Sequence, residues 1–480
     1  MAYSQTNLVA DLPSGAGVDL HLDLNRRGIR ASLTNALRDA VRTGRLVPGT
    51  RLPASRSLAS DLGVSRSTVT ESYAELVAEG WLVAQQGSGT RVARRAEPHS
   101  RQTRTSRGTP NRRLPTHALM PGSTEFGEFP RAQWLAAARR ALSVAPRSAF
   151  GYGDVLGRVE LRTALADYLA RARGVHADPD RVVICSGFHH GLKLMTEVLT
   201  ARGVRAVAVE SYGLHIYRDL LAEAGLQVPP LHVDGHGART DELSALSGVG
   251  AALLTPAHQF PTGVALSPER RAAAVDWART TDGLILEDDY DGEFRYDRQP
   301  VGAVQGLDPE RVVYFGTASK SLAPGLRLAW MVLPEDLVSE VAAAKGDVES
   351  ASALEQLTLA EFITSGAFDR HVRSMRQRYR RRRDQLVAEL AERAPHVHVT
   401  GMAAGLQAVV ELPPGTERSV LQAAGQRGLL VSGMAEFRSP LTDPDRPAPS
   451  QDALVVNYAA PSDSAWANAL DALCSVMPGT

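Results

Sequence analysis

Three short amphipathic stretches between residues 29 and 79 give the first periodic signal in the chain. Apolar residues of the first stretch recur every three or four positions: Ile29, Leu33, Leu37 and Val41. This spacing predicts a helix over residues 29–43. Serines that can cap a helix begin the other two stretches, so we expect helices over residues 55–62 and 65–79. Only Gly63-Val64 separates them, and the pair therefore predicts a helix-turn-helix.

A pattern typical of a β-hairpin follows at residues 82–92, and we interpret it as a wing. The second helix of a helix-turn-helix enters the major groove of DNA with its N-terminal residues. Those residues here include Ser65, Arg66 and Thr68. Arg66 suits a guanine edge, whereas Arg56 and the wing suit phosphates. The pattern alone also fits a small helical domain that only packs.

From about residue 114 onward, short apolar runs alternate with helical periodicity. Strands are predicted at residues 182–185, 204–209, 251–255, 283–287, 312–315 and 328–332, and helices at 191–199 and 268–279. Strands that alternate with helices indicate a mainly parallel sheet of the α/β class. We interpret the arginine-rich helical stretch at residues 370–393 as a solvated face, and residues 397–476 as a smaller lobe.

Length and charge divide the chain into parts. A chain of 480 residues is too long for one core. The first 113 residues contain 17 arginines, no lysine and 9 acidic residues, so this part carries +8 and the remainder −8. A basic N-terminal part suggests contact with nucleic acid. We expect an arm (1–25), a winged helix (26–93), a flexible basic linker (94–113) and an α/β body (114–480).

Other classes of protein leave no signal in the sequence. No apolar run approaches the roughly 20 residues of a membrane span, and no basic stretch followed by an apolar core marks a signal peptide. The two cysteines, Cys185 and Cys474, suggest neither a disulfide framework nor a metal site. We therefore expect a cytoplasmic protein without a metal.

The stretch from Gly316 to Leu328 carries the clearest candidate chemistry. Lys320 follows a predicted strand and lies among small and hydroxyl residues, and Arg327 lies seven positions further on. A short turn at the end of a strand can direct one amine into a cleft. An amine, hydroxyls and an arginine together suit pyridoxal phosphate (PLP), because its aldehyde condenses with lysine and its phosphate needs donors.

A second stretch supports that hypothesis. Asp288 and Tyr290 follow the predicted strand at 283–287. Ligands of open α/β sheets bind beyond the carboxyl ends of the strands. A carboxylate there can pair with the pyridinium nitrogen of PLP, and the tyrosine can donate to its phenolic oxygen. Taken alone, the stretch is equally compatible with a solvated acidic loop.

These motifs resemble known families. The segment RLVPGTRLPASRSLASDLGVSRSTVTESYAELVAEGWLVAQQGSGTRV is similar to the winged helix of GntR-type bacterial regulators, over roughly residues 29–92. The resemblance implies DNA contacts at Arg56, Ser65, Arg66, Thr68 and Gly87. The body resembles a fold-type I aminotransferase in FGYGDVLGRVELRTALADYLARARGV, TPAHQFPTG, LEDDYDGEFRY and GTASKSLAPGLRL. Together the two parts resemble MocR/GabR-type regulators over nearly the whole chain.

The second resemblance also implies roles for individual residues. Lys320 would be the lysine that binds PLP, with Asp288 on its ring nitrogen and Tyr290 on its phenolic oxygen. Ser319 and Arg327 fall at phosphate-binding positions, and Thr317 joins them as a cofactor residue. The turn that contains Gly187 and Phe188 opens a predicted helix, so its backbone N–H groups can face the phosphate.

The chain also departs from the family pattern. His189-His190 replaces a polar pair, and residues 210–215 replace a common acidic-Pro-Gly-Tyr segment. Tyr212 and His215 are both candidates to stack on the ring and to contact an effector. Arg438 falls near the position where the family holds a substrate carboxylate.

Three hypotheses for function follow. The first is a transcriptional regulator that binds operator DNA, whose PLP senses an amine, an amino acid or PLP itself. The second is a working aminotransferase with an accessory DNA-binding domain. The third, a regulator without cofactor, conflicts with the presence of Lys320, Asp288 and Tyr290. The resemblance also implies a head-to-tail homodimer. The sequence identifies neither the effector nor the operator.

Overall fold

The computed structural model describes residues 28–85, 89–94, 117–122, 126–296, 302–346, 351–442 and 452–478. The chain divides into two compact units, residues 1–112 and 113–480. The predicted arm (1–25), the linker (94–113) apart from Arg94, and Gly87 lie outside the described residues. The exact bounds of the arm and the linker stay predictions.

The N-terminal unit contains three helices and a hairpin within its described residues. The helices are Ile29–Arg42, Ser55–Leu62 and Arg66–Ala78, and the strands are Leu82–Gln85 and Gly89–Val92. The strands pair antiparallel, with Leu82 opposite Val92. The predicted helices and hairpin are confirmed, with helix ends that differ by one residue. Ser65 is the residue before the third helix, because its hydroxyl caps that helix by accepting from Thr68 N at 3.1 Å.

A single apolar core holds this unit together. Its buried side chains come from all three helices and both strands: Leu33, Leu37, Val41, Leu58, Val69, Leu76, Leu82 and Val92. The first helix buries the face that its spacing predicted. Gly63, at φ 63°, ends the second helix in the left-handed conformation, which glycine adopts without steric cost. The turn therefore fixes the third helix relative to the second.

A seven-stranded sheet forms the centre of the second unit. Its spatial order is Val182–Cys185, Ala329–Val332, Val312–Thr317, Leu284–Asp288, Val249–Leu254, Ala206–Glu210 and Pro230–Leu231. Ala329–Val332 runs antiparallel to both of its neighbours, and the other pairs are parallel. The predicted α/β class is confirmed. Observed strand ends differ from the predicted ones by up to two residues, and Asp288 is the last residue of its strand.

Helices cover both faces of this sheet, which explains why its strands are almost continuously apolar. Ile184 and Trp330 face one apolar cluster, while Val183 and Met331 face the opposite one. The helices before and around the sheet are Arg131–Val144, Val159–Arg173, Phe188–Ala201, His215–Glu223, Pro268–Thr281, Ala318–Ser321, Val338–Lys345 and Ala353–Thr364. Since the parallel strands share a direction, their carboxyl ends meet at one edge.

A smaller antiparallel sheet forms the C-terminal lobe, as the sequence predicted. Its order is His398–Thr400, Gln407–Glu411, Ala453–Asn457 and Ser432–Gly433. The helices Ala367–Arg393, Glu417–Gln426 and Asp463–Cys474 accompany it, and short strand pairs join His117–Ala118 to Leu429–Leu430 and Val233–Asp234 to Gly237–Ala238. The two lobes share an apolar cluster that includes Phe260, Val409 and Phe437.

The long helix Ala367–Arg393 corrects one interpretation. Arg380 and Arg381 are exposed as expected, but Arg378 and Arg382 are buried. Arg382 donates to the carbonyl oxygens of Tyr458 and Pro461 at 3.0 and 2.8 Å, and it pairs with Asp463. The arginine-rich stretch is therefore only partly a solvated face. The buried Arg382 attaches the helix to a distant segment, whose carbonyls and carboxylate accept the hydrogen bonds of its guanidinium.

The remaining expectations concern cysteines, metals and membranes. Cys185 and Cys474 are buried and free. Over the described ranges, no group of three or more metal-ligating side chains could hold an ion. The same ranges contain no helix that is both long and apolar enough to cross a bilayer.

Candidate functional site

A cavity opens where the carboxyl ends of the parallel strands meet the C-terminal lobe. Glu210 and Asp288 are the last residues of their strands, and Lys320 lies in the helical turn Ala318–Ser321 that follows a third strand. The cavity lining combines apolar and polar groups: Gly122, Val209, Glu210, Tyr212, Gly213, Leu214, Tyr217, Arg218, Leu253, Thr255, Phe260, Asp288, Tyr290, Lys320, Leu406, Gln407 and Asn457.

Lys320 contributes a primary amine to this cavity. Its Nζ donates a hydrogen bond to the carbonyl oxygen of Gly122 at 2.7 Å. Burial lowers the pKa of Lys320, although the carboxylates of Asp288 and Asp291 act in the opposite direction. A lowered pKa increases the fraction of neutral amine, which is the nucleophilic form.

Asp288 and Asp289 are neighbours in sequence but have different surroundings. Asp289 is held by Arg173 at 2.7 and 3.0 Å and by the Tyr314 hydroxyl at 2.7 Å. Asp288 lines the cavity, and no described group donates a hydrogen bond to its carboxylate. Burial raises the pKa of Asp288 well above its ordinary value, and Asp289 and Asp291 add to that effect. A cationic partner in the cavity would stabilise its charged form.

Residues suited to bind an anion lie at the start of the helix Phe188–Ala201. Gly187 precedes this helix with φ 99°, and a Cβ there would lie 2.9 Å from the guanidinium of Arg327. Arg327 donates to the carbonyl oxygen of Ser186. The guanidinium therefore lies against the helix N-terminus, whose N–H groups and dipole favour an anion. In the same turn as Lys320, the hydroxyl of Thr317 donates to that of Ser319 at 2.9 Å.

Tyr290 reaches the cavity from the stretch that follows Asp288. Its hydroxyl oxygen lies 3.2 Å from Gln407 Nε2, which donates to it, and 3.1 Å from His258 Nδ1. His258 Nδ1 also lies 2.8 Å from Asp291 Oδ2. Burial and then the Asp291 carboxylate raise the pKa of Tyr290 well above its ordinary value. The tyrosine therefore stays neutral and can donate a proton in a hydrogen bond.

The three candidate effector residues have different positions. Tyr212 lines the cavity, and its backbone forms an antiparallel bridge with Arg438, which is half-buried and outside the cavity lining. His215 is exposed at the first position of its helix and also lies outside that lining. Arg218 lines the cavity instead, and it donates to the carbonyl oxygens of Gly213 and Phe437 at 3.0 and 3.3 Å.

The second candidate site is the start of the helix Arg66–Ala78. Arg66 and Ser67 are exposed there, whereas Thr68 is half-buried and lies 2.8 Å from the capping Ser65 hydroxyl. Arg56 is exposed near the start of the preceding helix. Gly87 is outside the described residues. The cap fixes the direction of the helix end, so the exposed arginine projects from a rigid element.

Family models match both units of the chain. The model for aminotransferase class I and II matches residues 123–473, and the model for bacterial regulatory proteins of the gntR family matches residues 30–92.

Relatives with the same combination of domains decide the family. The chain is 33% identical to the probable rhizopine catabolism regulatory protein MocR of Rhizobium meliloti, over 89% of each chain. It is 31% identical to the pyridoxine biosynthesis transcriptional regulator PdxR of Corynebacterium glutamicum, over 87% of this chain and 91% of that protein. The chain belongs to the MocR-type transcriptional regulators.

Solved structures agree with the aminotransferase fold of this MocR-type chain. An archaeal alanine:glyoxylate aminotransferase superposes with a TM-score of 0.67 at 24% identity, covering 75% of this chain and 90% of that one. A kynurenine aminotransferase from Pyrococcus horikoshii gives 0.66 at 23% identity, with the same coverage. At this identity the likeness shows the fold.

Sequence reasoning missed several residues of the MocR-type cavity. Gln407 and Asn457 come from the C-terminal lobe, and no local motif marks them. Glu210 ends a strand, as Asp288 does, so its position was a usable signal. Burial raises the pKa of Glu210 to about 7, although Thr255 and Gln259 donate hydrogen bonds to it.

Proposed function

We propose that this MocR-type regulator binds PLP through Lys320 and that the state of this site controls operator binding. The observation that carries the proposal is the shared cavity of Lys320 and Asp288, an amine and a buried carboxylate at adjacent strand ends, in a chain with a winged helix. Its aminotransferase fold implies dependence on PLP.

Residues of the cavity fit the ring and the aldehyde of PLP, and residues outside the cavity lining fit its phosphate. Lys320 matches the aldehyde, and Tyr290 suits the phenolic oxygen. Asp288 suits the ring nitrogen, since a protonated pyridine would compensate a carboxylate that is buried beside two others. The phosphate would be held by Arg327 and by the N–H groups at the start of the helix Phe188–Ala201.

Hydroxyl groups complete the proposed phosphate site. Ser319 and Thr317 are joined by a hydrogen bond at the end of a strand, and the backbone N of Ser319 donates to the Thr317 hydroxyl at 3.1 Å. The Thr317 proton is used in the bond to Ser319, so the Ser319 hydroxyl and the Arg327 guanidinium would donate to the phosphate, and Thr317 would orient Ser319. Gly187 and Phe188 would contribute backbone rather than side-chain contacts.

Bound PLP supplies an aldehyde that forms a C=N bond with a primary amine and releases water. Lys320 provides that amine, and its lowered pKa favours the neutral form that can attack. Tyr290 keeps its proton, and Asp288 would hold negative charge beside a protonated ring nitrogen. Phe260 and Leu406 contribute apolar walls that limit access of water.

Sensing requires a ligand that binds two states of the protein with different affinity. The free amine of Lys320 bonds to Gly122 O and would give up this bond on joining PLP. An amine that displaces Lys320 from PLP would let the bond form again and would thereby change contacts at the cavity wall. The relatives are named for rhizopine catabolism and pyridoxine biosynthesis. We therefore propose an amine, an amino acid or PLP itself as the effector, with Tyr212, Arg218 and Arg438 as candidate contacts.

A working aminotransferase is the second candidate function. The specific observation in its favour is that amine, carboxylate and tyrosine are all present in the cavity. Relatives along most of the chain are regulators, which favours the sensor. We further propose a cytoplasmic head-to-tail homodimer and operator contacts at Arg56, Ser65, Arg66, Thr68 and Gly87.

Only three lysines occur in the chain, Lys193, Lys320 and Lys345, so attachment is easily mapped. The test is borohydride reduction of the protein with PLP, followed by peptide mass spectrometry. We expect label on Lys320 and loss of the visible absorption band in Lys320→Ala. Lys193→Ala, which changes an exposed lysine, is the matched control. A band that persists in Lys320→Ala would refute the assignment.

A further inference from the structure

Two buried side chains lie behind Tyr290, outside the lining of the cavity. His258 is 4% exposed and Asp291 is 2% exposed. His258 Nδ1 lies within hydrogen-bond distance of both Asp291 Oδ2, at 2.8 Å, and the Tyr290 hydroxyl, at 3.1 Å. A single ring nitrogen therefore connects the carboxylate to the tyrosine that faces the cavity.

The carboxylate decides which nitrogen of His258 carries the proton. If Nδ1 had no proton, its lone pair would face a carboxylate oxygen at 2.8 Å, and two acceptors would repel each other. Nδ1 is therefore protonated, and Asp291 fixes this form of the ring. Protonated Nδ1 has no free lone pair, so it cannot accept the Tyr290 proton, and its single proton faces both Asp291 and the Tyr290 oxygen.

The hydrogen bonds of Tyr290 then determine the direction of its proton. A phenolic oxygen has one proton and two lone pairs. Gln407 Nε2 donates to one lone pair at 3.2 Å, and His258 occupies the other side at 3.1 Å. The O–H bond cannot point at either donor. Asp291 also interacts with the Tyr290 hydroxyl, but it already accepts from His258, so the acceptor left for the O–H bond is a ligand oxygen in the cavity that Tyr290 and Gln407 both line.

Tight packing keeps His258 and Asp291 in place. Gly405 lies against both, and a Cβ at this position would collide with His258 Cε1 and with Asp291 Oδ2. Gly405 has φ 73°, and its carbonyl oxygen accepts from the Tyr458 hydroxyl at 2.9 Å. The segment around residue 405 comes from the C-terminal lobe. Both lobes therefore build this arrangement.

We propose that His258 and Asp291 are positioning residues that direct the Tyr290 proton into the cavity, where it binds an anionic phenolic oxygen of the ligand. The inference deepens the proposed function and rests on it. It assigns to His258 a role as donor through Nδ1, beyond packing. Replacement by a group that donates from the same place should therefore preserve binding, whereas an apolar replacement should not.

The experiment compares His258→Leu with His258→Asn, because the Asn amide nitrogen can occupy the position of Nδ1. PLP titrations, followed by absorbance, give dissociation constants and visible spectra for both variants and for Tyr290→Phe. A hydrogen bond to a charged group is lost in His258→Leu, so we expect an increase in Kd of about tenfold or more. His258→Asn should restore most of the affinity and the wild-type spectrum.

A double-mutant cycle separates positioning from packing. Once Tyr290→Phe has removed the hydroxyl, His258→Leu should raise Kd no further. Asp291→Ala should repeat the effect of His258→Leu. Tyr314→Phe removes a buried hydroxyl that bonds to Asp289 outside the cavity, and it is the control for loss of a buried tyrosine hydroxyl. Melting temperatures of all variants without PLP report on folding.

Two outcomes would overturn the inference. One is an equal loss of affinity from His258→Leu with and without the Tyr290 hydroxyl. The other is an equal loss in His258→Leu and His258→Asn. Wild-type protein that binds no PLP would refute the proposed function as well. A Tyr290-dependent affinity with additive His258 effects would refute this inference alone.

Discussion

Replacing Glu210 with glutamine should make the stability of the protein less dependent on pH. Glu210 is 7% exposed at the end of its strand, and it accepts hydrogen bonds from Thr255 N and Gln259 Nε2, both at 3.2 Å. Glutamine keeps the shape and an acceptor oxygen but cannot ionise. The substitution therefore removes one ionisable carboxyl group from the protein interior and changes little else.

The magnitude follows from the shifted pKa. Burial raises the pKa of Glu210 from an ordinary 4.5 to about 7. Between these values the folded protein keeps a proton that the unfolded chain has released, so the free energy of unfolding falls as pH rises and levels off above about pH 7. A shift of this size corresponds to roughly 3 kcal/mol. Glu210→Gln should avoid that loss.

Urea titrations of wild type and variant at pH 5 and pH 8 would measure the effect. The variant should gain about 2.5 kcal/mol relative to wild type between the two pH values, about half of it below pH 6 and little above pH 7. Glu223→Gln removes an exposed carboxylate at the end of a helix and provides the baseline. A constant difference between Glu210→Gln and wild type across this range would refute the reasoning.

Two further predictions concern the proposed contacts. Arg66→Ala should lose about 1–3 kcal/mol of discrimination at one base pair, whereas Arg56→Ala should weaken binding to all sequences similarly and lower the salt slope by roughly one. Binding to a duplex selected from a random library distinguishes these effects. Unchanged sequence specificity in Arg66→Ala would contradict the contact proposed for Arg66. Gly187→Ala adds a Cβ to a residue with φ 99° and places it 2.9 Å from the Arg327 guanidinium. The Kd for PLP should therefore rise about tenfold or more. An unchanged Kd would argue against the proposed phosphate site at Gly187 and Arg327.

Local patterns were sufficient to predict most of the elements and part of the cavity. The apolar spacing of Ile29–Arg42 and the apolar run that begins the strand Leu284–Asp288 each match the observed burial. Lys320 and Asp288 were found because each lies at or just beyond the end of a strand in a chemically distinctive motif. Because parallel strands bring their carboxyl ends together, the local sequence was enough to predict that both residues share a site.

Residues whose role depends on distant partners were not predictable in this way. Arg382 belongs to an arginine-rich helix that looks solvated, but its acceptors at Tyr458 and Asp463 are about 80 residues away. Gln407 reaches Tyr290 only because the C-terminal lobe packs against the sheet. His215 had the right sequence position but starts a helix on its exposed side, and Arg218, one turn later, lines the cavity.

The most direct test of the central claim measures DNA binding and turnover together. PLP-loaded protein is mixed with a panel of amines and a keto-acid acceptor, and product per chain is followed beside affinity for a selected operator, with PLP alone as a separate arm. A sensor predicts that an amine or PLP changes operator affinity with little or no multiple turnover. Sustained turnover at about 1 s⁻¹ or faster, with operator affinity unchanged by every ligand, would contradict the account.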